Sequence, residues 1–94
     1  MMKARAYPSV WNALESNPID AENMKLRSCL MIEISAAIRA WRISQTEAAK
    51  RLGITQPRLN DLLRGRIGKF SLDALVALAP RAGLAVRLRV TKAA

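Results

Sequence analysis

Histidine is missing from this 94-residue sequence altogether. Its absence removes every histidine general base, every Ser–His–Asp arrangement and every zinc site that needs an imidazole. Cysteine occurs once, at Cys29, so no intrachain disulfide can form, and the composition suits a reducing compartment. Glycine is scarce, and no glycine-rich phosphate loop is present. The seven acidic residues include no pair of carboxylates with a plausible shared site. No apolar run reaches the roughly 18 residues of a membrane span. The stretch from Met1 to Trp11 lacks the apolar core of a secretory signal. These absences leave no catalytic residue, no metal ligand and no cofactor site to nominate. The expectation is a small, soluble, cytoplasmic protein that is not an enzyme.

What is present points to a polyanion. Apolar residues make up 51% of the chain, enough for one globular domain. Sixteen Lys and Arg face seven Asp and Glu, a net charge of +9. A domain this basic is drawn first to nucleic acid and second to an anionic membrane. The charge is densest over residues 44–70, with six basic and two acidic side chains. These cations flank a turn-rich motif and do not form one face of a long amphipathic helix, which disfavours the membrane.

Hydrophobic periodicity divides the chain. Residues 1–19 read as an irregular N-terminal arm between Pro8 and Pro18, with Val10 to Leu14 forming at most a turn or two of helix. Asp20 is placed to cap a helix from Ala21 to about Trp41, whose apolar stripe is Leu26, Leu30, Ile34, Ile38 and Trp41. Cys29 and the methionines read as packing within that helix. Ser44-Gln45-Thr46-Glu47 has the form of a capping box, and a helix follows from Gln45 to Leu52. Gly53 ends it, Thr55 caps the next, and Pro57 sits in the first turn of a helix from Gln56 to Arg64. Two short helices joined by so tight a glycine-containing turn form a helix-turn-helix.

A further helix starts after Ser71, with Leu72, Leu75, Val76 and Ala79 apolar. Pro80 should end or kink it near Ala79, with Gly83 closing the turn. Leu84 to Val90 then alternates strictly, with Leu84, Val86, Leu88 and Val90 on one side and Arg87 and Arg89 on the other. That pattern predicts a strand, and a lone strand needs a partner to satisfy its backbone. The predicted organisation is therefore an arm (1–19), a helix-turn-helix domain (20–83) and a C-terminal strand and tail (84–94).

The third of these helices carries the chemistry. At 100° per residue Leu59, Leu62 and Leu63 fall together, while Pro57, Asn60, Asp61 and Arg64 lie opposite, flanked by Gln56 and Arg58. Gln and Asn can each read adenine bidentately, Arg prefers guanine, and Asp can accept from the cytosine amino group. Proline offers only apolar contact, as to a thymine methyl. Asp61 equally can pair with Arg58 or Arg64. Gln45 and Thr55 stand at helix N-termini, whose amides suit phosphates. Arg64, Arg66 and Lys69 extend the electrostatic footprint.

The run Gln45 to Leu62 resembles the helix-turn-helix of the Cro/CI (XRE) family of regulators. The likeness rests on Ala49 where the helices touch, Gly53 in the turn, and apolar residues at Ala48, Leu52, Ile54, Leu59 and Leu62. It implies a mainly α fold, a lambda-repressor-like domain of four to five helices, with the short C-terminal strand pairing in a dimer. It also implies phosphate contacts at Gln45 and Thr55. Gln56, Pro57, Asn60 and Asp61 would face bases, and Arg58 bases or backbone. Pro57 departs from the family pattern, standing where many relatives place a polar base reader. Across residues 9–90 the chain further resembles HigA-type antitoxins, often encoded beside RelE/ParE-like or HigB-like toxins. Two roles follow. One is a homodimeric repressor on an inverted-repeat operator. The other is a toxin-binding protein that offers Trp11 and Leu14 as an anchor, or the edge of Leu84–Val90. For Trp11 the alternative is packing on the first helix. For the strand it is pairing between two copies.

Overall fold

The computed structural model of the chain describes residues 18–93. Four α-helices follow one another: α1 (Pro18–Ala40), α2 (Gln45–Leu52), α3 (Gln56–Leu63) and α4 (Leu72–Arg81). A single 3-10 turn, Ile67–Lys69, links α3 to α4. No helix among these residues is long and apolar enough to cross a membrane.

Local chemistry sets most boundaries. Ser44, Thr55 and Ser71 each sit in extended backbone and accept the amide proton of the residue three positions on, at 3.1, 3.3 and 3.1 Å. Each hydroxyl thereby satisfies an amide that the first helical turn leaves unpaired. The C-termini are equally uniform. The amides of Ile54, Arg66 and Leu84 bond back to the carbonyls of Ala49, Asp61 and Ala79, with Gly53, Gly65 and Gly83 in the left-handed position between. That is the Schellman closure, three times over. After α1 the same left-handed role falls to Arg42, at φ +55°.

Two boundaries differ from the sequence reading. Helix α1 begins at Pro18, so Asp20 lies in its first turn and is not its cap. Proline is well suited to a first turn, and an acidic residue there meets the positive end of the helix dipole. Helix α4 runs through Pro80 to Arg81. The hydrogen bond that proline deletes would have ended on the carbonyl of Val76, a residue on the exposed face. Water can reach that face, so the helix keeps its last turn.

The core is one cluster. Helix α1 lies across α4 and the 3-10 turn, while α2 and α3 pack on each other. Ile34, Leu52, Leu59, Leu62, Phe70 and Leu75 are the largest fully buried side chains. Helix α1 has 23 residues, so it is about 34 Å long. The other helices cover only part of it. Met31, Ile34 and Ile38 are buried, whereas Leu26 stays 44% exposed. Cys29 is exposed, on the opposite side from the buried stripe, so it is not packing. In α4 the buried set is Leu75, Leu78 and Ala79, and Val76 faces out.

The expected C-terminal strand does not form. Beyond Leu84, residues 85–93 carry no regular secondary structure. Leu84 packs against the core, but Val86, Leu88 and Val90 project outward. The physical reason is the missing ladder: no second strand is present among the described residues to pair with this one.

Candidate nucleic-acid interface

The turn between α2 and α3 is built to hold one geometry. Gly53 takes φ +70°, a conformation that disfavours any side chain with a Cβ. The Arg81 guanidinium covers this glycine and donates to the Leu52 carbonyl at 3.0 Å. A Cβ on residue 53 would collide with Arg81 Nη1. Ala48 and Ala49 are buried at the helix contact, and Ile54 closes the turn against the core. Thr55 then caps α3, so only three residues separate the two helices.

Helix α3 shows the two faces that its sequence predicts. Leu59 and Leu62 are fully buried. Gln56, Pro57 and Arg64 are exposed, and Asn60 and Asp61 are half-buried at the edges of the same face. Gln45, Thr46 and Thr55 are also exposed at the starts of α2 and α3. Thr46 Oγ1 lies 3.4 Å from Gln56 Oε1 and donates to it, which joins the first turns of the two helices. That contact was not anticipated from the sequence.

The cations around α3 divide into two groups. Arg58 turns away from the exposed face. Its guanidinium stacks 4.2 Å from the centroid of Phe70 and donates to the Lys69 carbonyl at 2.9 Å. Arg66 is paired with Asp61 at 3.0 Å, so the partner of Asp61 is neither Arg58 nor Arg64. Its amide bonds to the Asp61 carbonyl as well, which fixes the pair twice. The side chains of Arg64 and Lys69 are exposed and engage no other described residue in a hydrogen bond or ion pair.

Three further arginines were missed. Arg27 donates to the carbonyls of Ile67 and Phe70 at 3.3 and 3.2 Å, and its Nε is held by Asn23 Oδ1 at 2.7 Å. Arg39 donates to Leu63 O at 3.0 Å, at the C-terminus of α3. Arg81 does the same for α2. Arg39 and Arg81 each place a cation on a carbonyl that a helix end leaves unpaired, where the dipole is negative, whereas Arg27 ties α1 to the 3-10 turn. No local spacing signals them, because donor and acceptor lie 24 to 43 residues apart.

Of the expected partner contacts, Trp11 and Leu14 fall outside the described residues, and Val86, Leu88 and Val90 are exposed on the C-terminal segment. Among the described residues no cluster of His, Cys, Asp and Glu could hold a metal ion.

Comparison with known proteins agrees with this geometry. A family model described as a helix-turn-helix domain matches residues 15–91, well over half of the chain. No curated protein matches it. On the extent of that match and the α2–turn–α3 geometry, the chain belongs to the helix-turn-helix domain family, a fold of DNA-binding regulators.

Proposed function

We propose that this protein is a sequence-specific transcriptional repressor of the Cro/CI (XRE) type. In this reading it binds an inverted-repeat operator as a homodimer, in the cytoplasm. The observation that carries the reading is the exposed face of α3, where Gln56, Pro57 and Asn60 stand together beyond a buried Leu59–Leu62 face. A helix so equipped fits the major groove and presents groups that match base edges. Gln45, Thr55, Arg64 and Lys69 flank it and suit phosphates. Arg66 is held by Asp61 and is not counted among them.

A homodimer follows from the small size of one module. Tight operator binding generally needs two, with recognition helices roughly 34 Å apart along the duplex. The alternating segment Leu84–Val90, exposed beyond Leu84, offers a second copy the strand partner that it lacks. The same edge fits the sheet of a RelE/ParE- or HigB-like toxin, with Trp11 and Leu14 as anchors. On that basis we assign the protein the role of a HigA-type antitoxin that represses its own operon. The alternative is a stand-alone phage-type or chromosomal repressor.

The test is binding to the DNA upstream of its own gene at two salt concentrations, with scrambled duplex as competitor. Binding that resists the scramble and falls steeply with salt is the expected result. Equal affinity for both duplexes would overturn sequence-specific repression. Co-purification with the product of an adjacent toxin gene separates the antitoxin from the stand-alone repressor.

A further inference from the structure

The composition of the α3 face leaves all four bases open, and the packing closes two of them. The sequence provides one potential guanine reader at the N-terminal half of the helix, Arg58, and one potential cytosine reader, Asp61. Both are engaged elsewhere. The Arg58 guanidinium lies on the Phe70 ring and is tied to the Lys69 carbonyl. To reach a base edge it would abandon both contacts. The Asp61 carboxylate is 19% exposed and paired with Arg66. Arg64 is the helix C-cap, two turns beyond Gln56, and N-terminal residues are the ones that reach base edges in this docking mode.

Three groups remain, and their chemistry is of one kind. Gln56 is oriented by Thr46, which donates to one lone pair of its amide oxygen and leaves the second lone pair and both amide protons available. A Gln so held presents an acceptor and a donor side by side, the match for N6 and N7 of adenine. Asn60, on the next turn of the same face, presents the same pair. Pro57 lies between them with no donor, and its ring can only make apolar contact, for which the thymine methyl is the one apolar group in the major groove.

We infer that each half-site is read at A·T pairs alone: adenines by Gln56 and Asn60 and a thymine methyl by Pro57, with no guanine or cytosine read by Arg58 or Asp61. This rests on the proposed DNA-binding reading and names its target.

The experiment is selection of bound duplexes from a randomised library by the full chain, followed by measured affinities on the selected site. Expected are two repeated half-sites, each with adjacent invariant A·T positions. Gln56→Ala and Asn60→Ala should each relax one such position, by roughly five- to 150-fold in discrimination. Replacing the contacted thymine by deoxyuridine deletes only its methyl. It should weaken wild-type binding several-fold and leave Pro57→Ser indifferent. Invariant G·C pairs whose preference changes in Arg58→Ala or Asp61→Asn would overturn the inference and leave sequence-specific binding intact. Selection of no sequence at all would overturn sequence-specific binding and this inference with it. Circular dichroism of each variant separates lost readout from lost fold.

Discussion

Arg58 and Arg66 flank the same helix and carry the same charge, yet their surroundings give them different work. Arg58 is half-buried on Phe70 and holds the loop after α3 in place. Arg66 is 48% exposed on its side chain, with a carboxylate as its partner. An ion pair this open contributes little to stability, about 0–1 kcal/mol. Its larger effect is on binding, because Asp61 occupies the position on Arg66 that a phosphate would take. Asp61→Asn should therefore raise affinity for every duplex, specific or not. The slope of log K against log salt should steepen by about 0.9, the value of one further neutralised phosphate. Filter binding across a salt series measures both. Unchanged slope with lost affinity for one sequence would mean that Asp61 contacts a base instead.

At the scale of elements, what was legible in the sequence was whatever is decided within five residues. The caps at Ser44, Thr55 and Ser71 and the glycine turns at Gly53 and Gly83 follow from bonds that short. What was not legible depends on partners far along the chain. The exposure of Leu26, Cys29 and Val76 follows from how much of α1 and α4 the other helices cover. Leu84–Val90 alternates as a strand would, but alternation supplies no hydrogen bonds of its own, and the expected strand does not form. The exposed face of α3 was readable from periodicity, whereas the capture of Arg58 by Phe70 was not. The α2–α3 turn combines both kinds of information. Gly53 is required by its left-handed φ, a local matter, and by Arg81, a distant one. Gly53→Ala should cost about 2 kcal/mol: 1–2 for the left-handed conformation, with the Arg81–Leu52 hydrogen bond displaced as well. Adding Arg81→Ala should cost less than the sum of the two single changes, since the collision is then gone. Urea denaturation of the two single variants and the double variant reads the coupling. Strict additivity would show that Arg81 exerts no pressure on the turn.

For the whole molecule, a net charge of +9 invites the view that every cation serves the duplex. The structure divides them. Arg27, Arg39, Arg58 and Arg81 hold backbone carbonyls within the fold. Arg64 and Lys69 are exposed, at the end of α3 and in the turn that follows it. A cation already bonded to a carbonyl cannot displace counterions from DNA without breaking the contact that places it. A cation held only by solvent can. The two groups should thus separate on two axes. Arg64→Ala and Lys69→Ala should leave the free energy of urea unfolding within about 0.5 kcal/mol of wild type, as surface changes do. Each should flatten the salt slope by about 0.9, equally on specific and scrambled duplex. Arg39→Ala and Arg81→Ala should do the reverse. Each removes a charge-assisted hydrogen bond at a helix C-terminus, a loss of about 1 kcal/mol for these partly solvated sites. The fraction that stays folded should bind with an unchanged slope. Long-range attraction alone predicts a different result: all four changes would flatten the slope alike, because each lowers the net charge by one. Paired measurements of stability and salt dependence on these four variants decide whether the basic character of the chain acts as a diffuse field or as placed contacts.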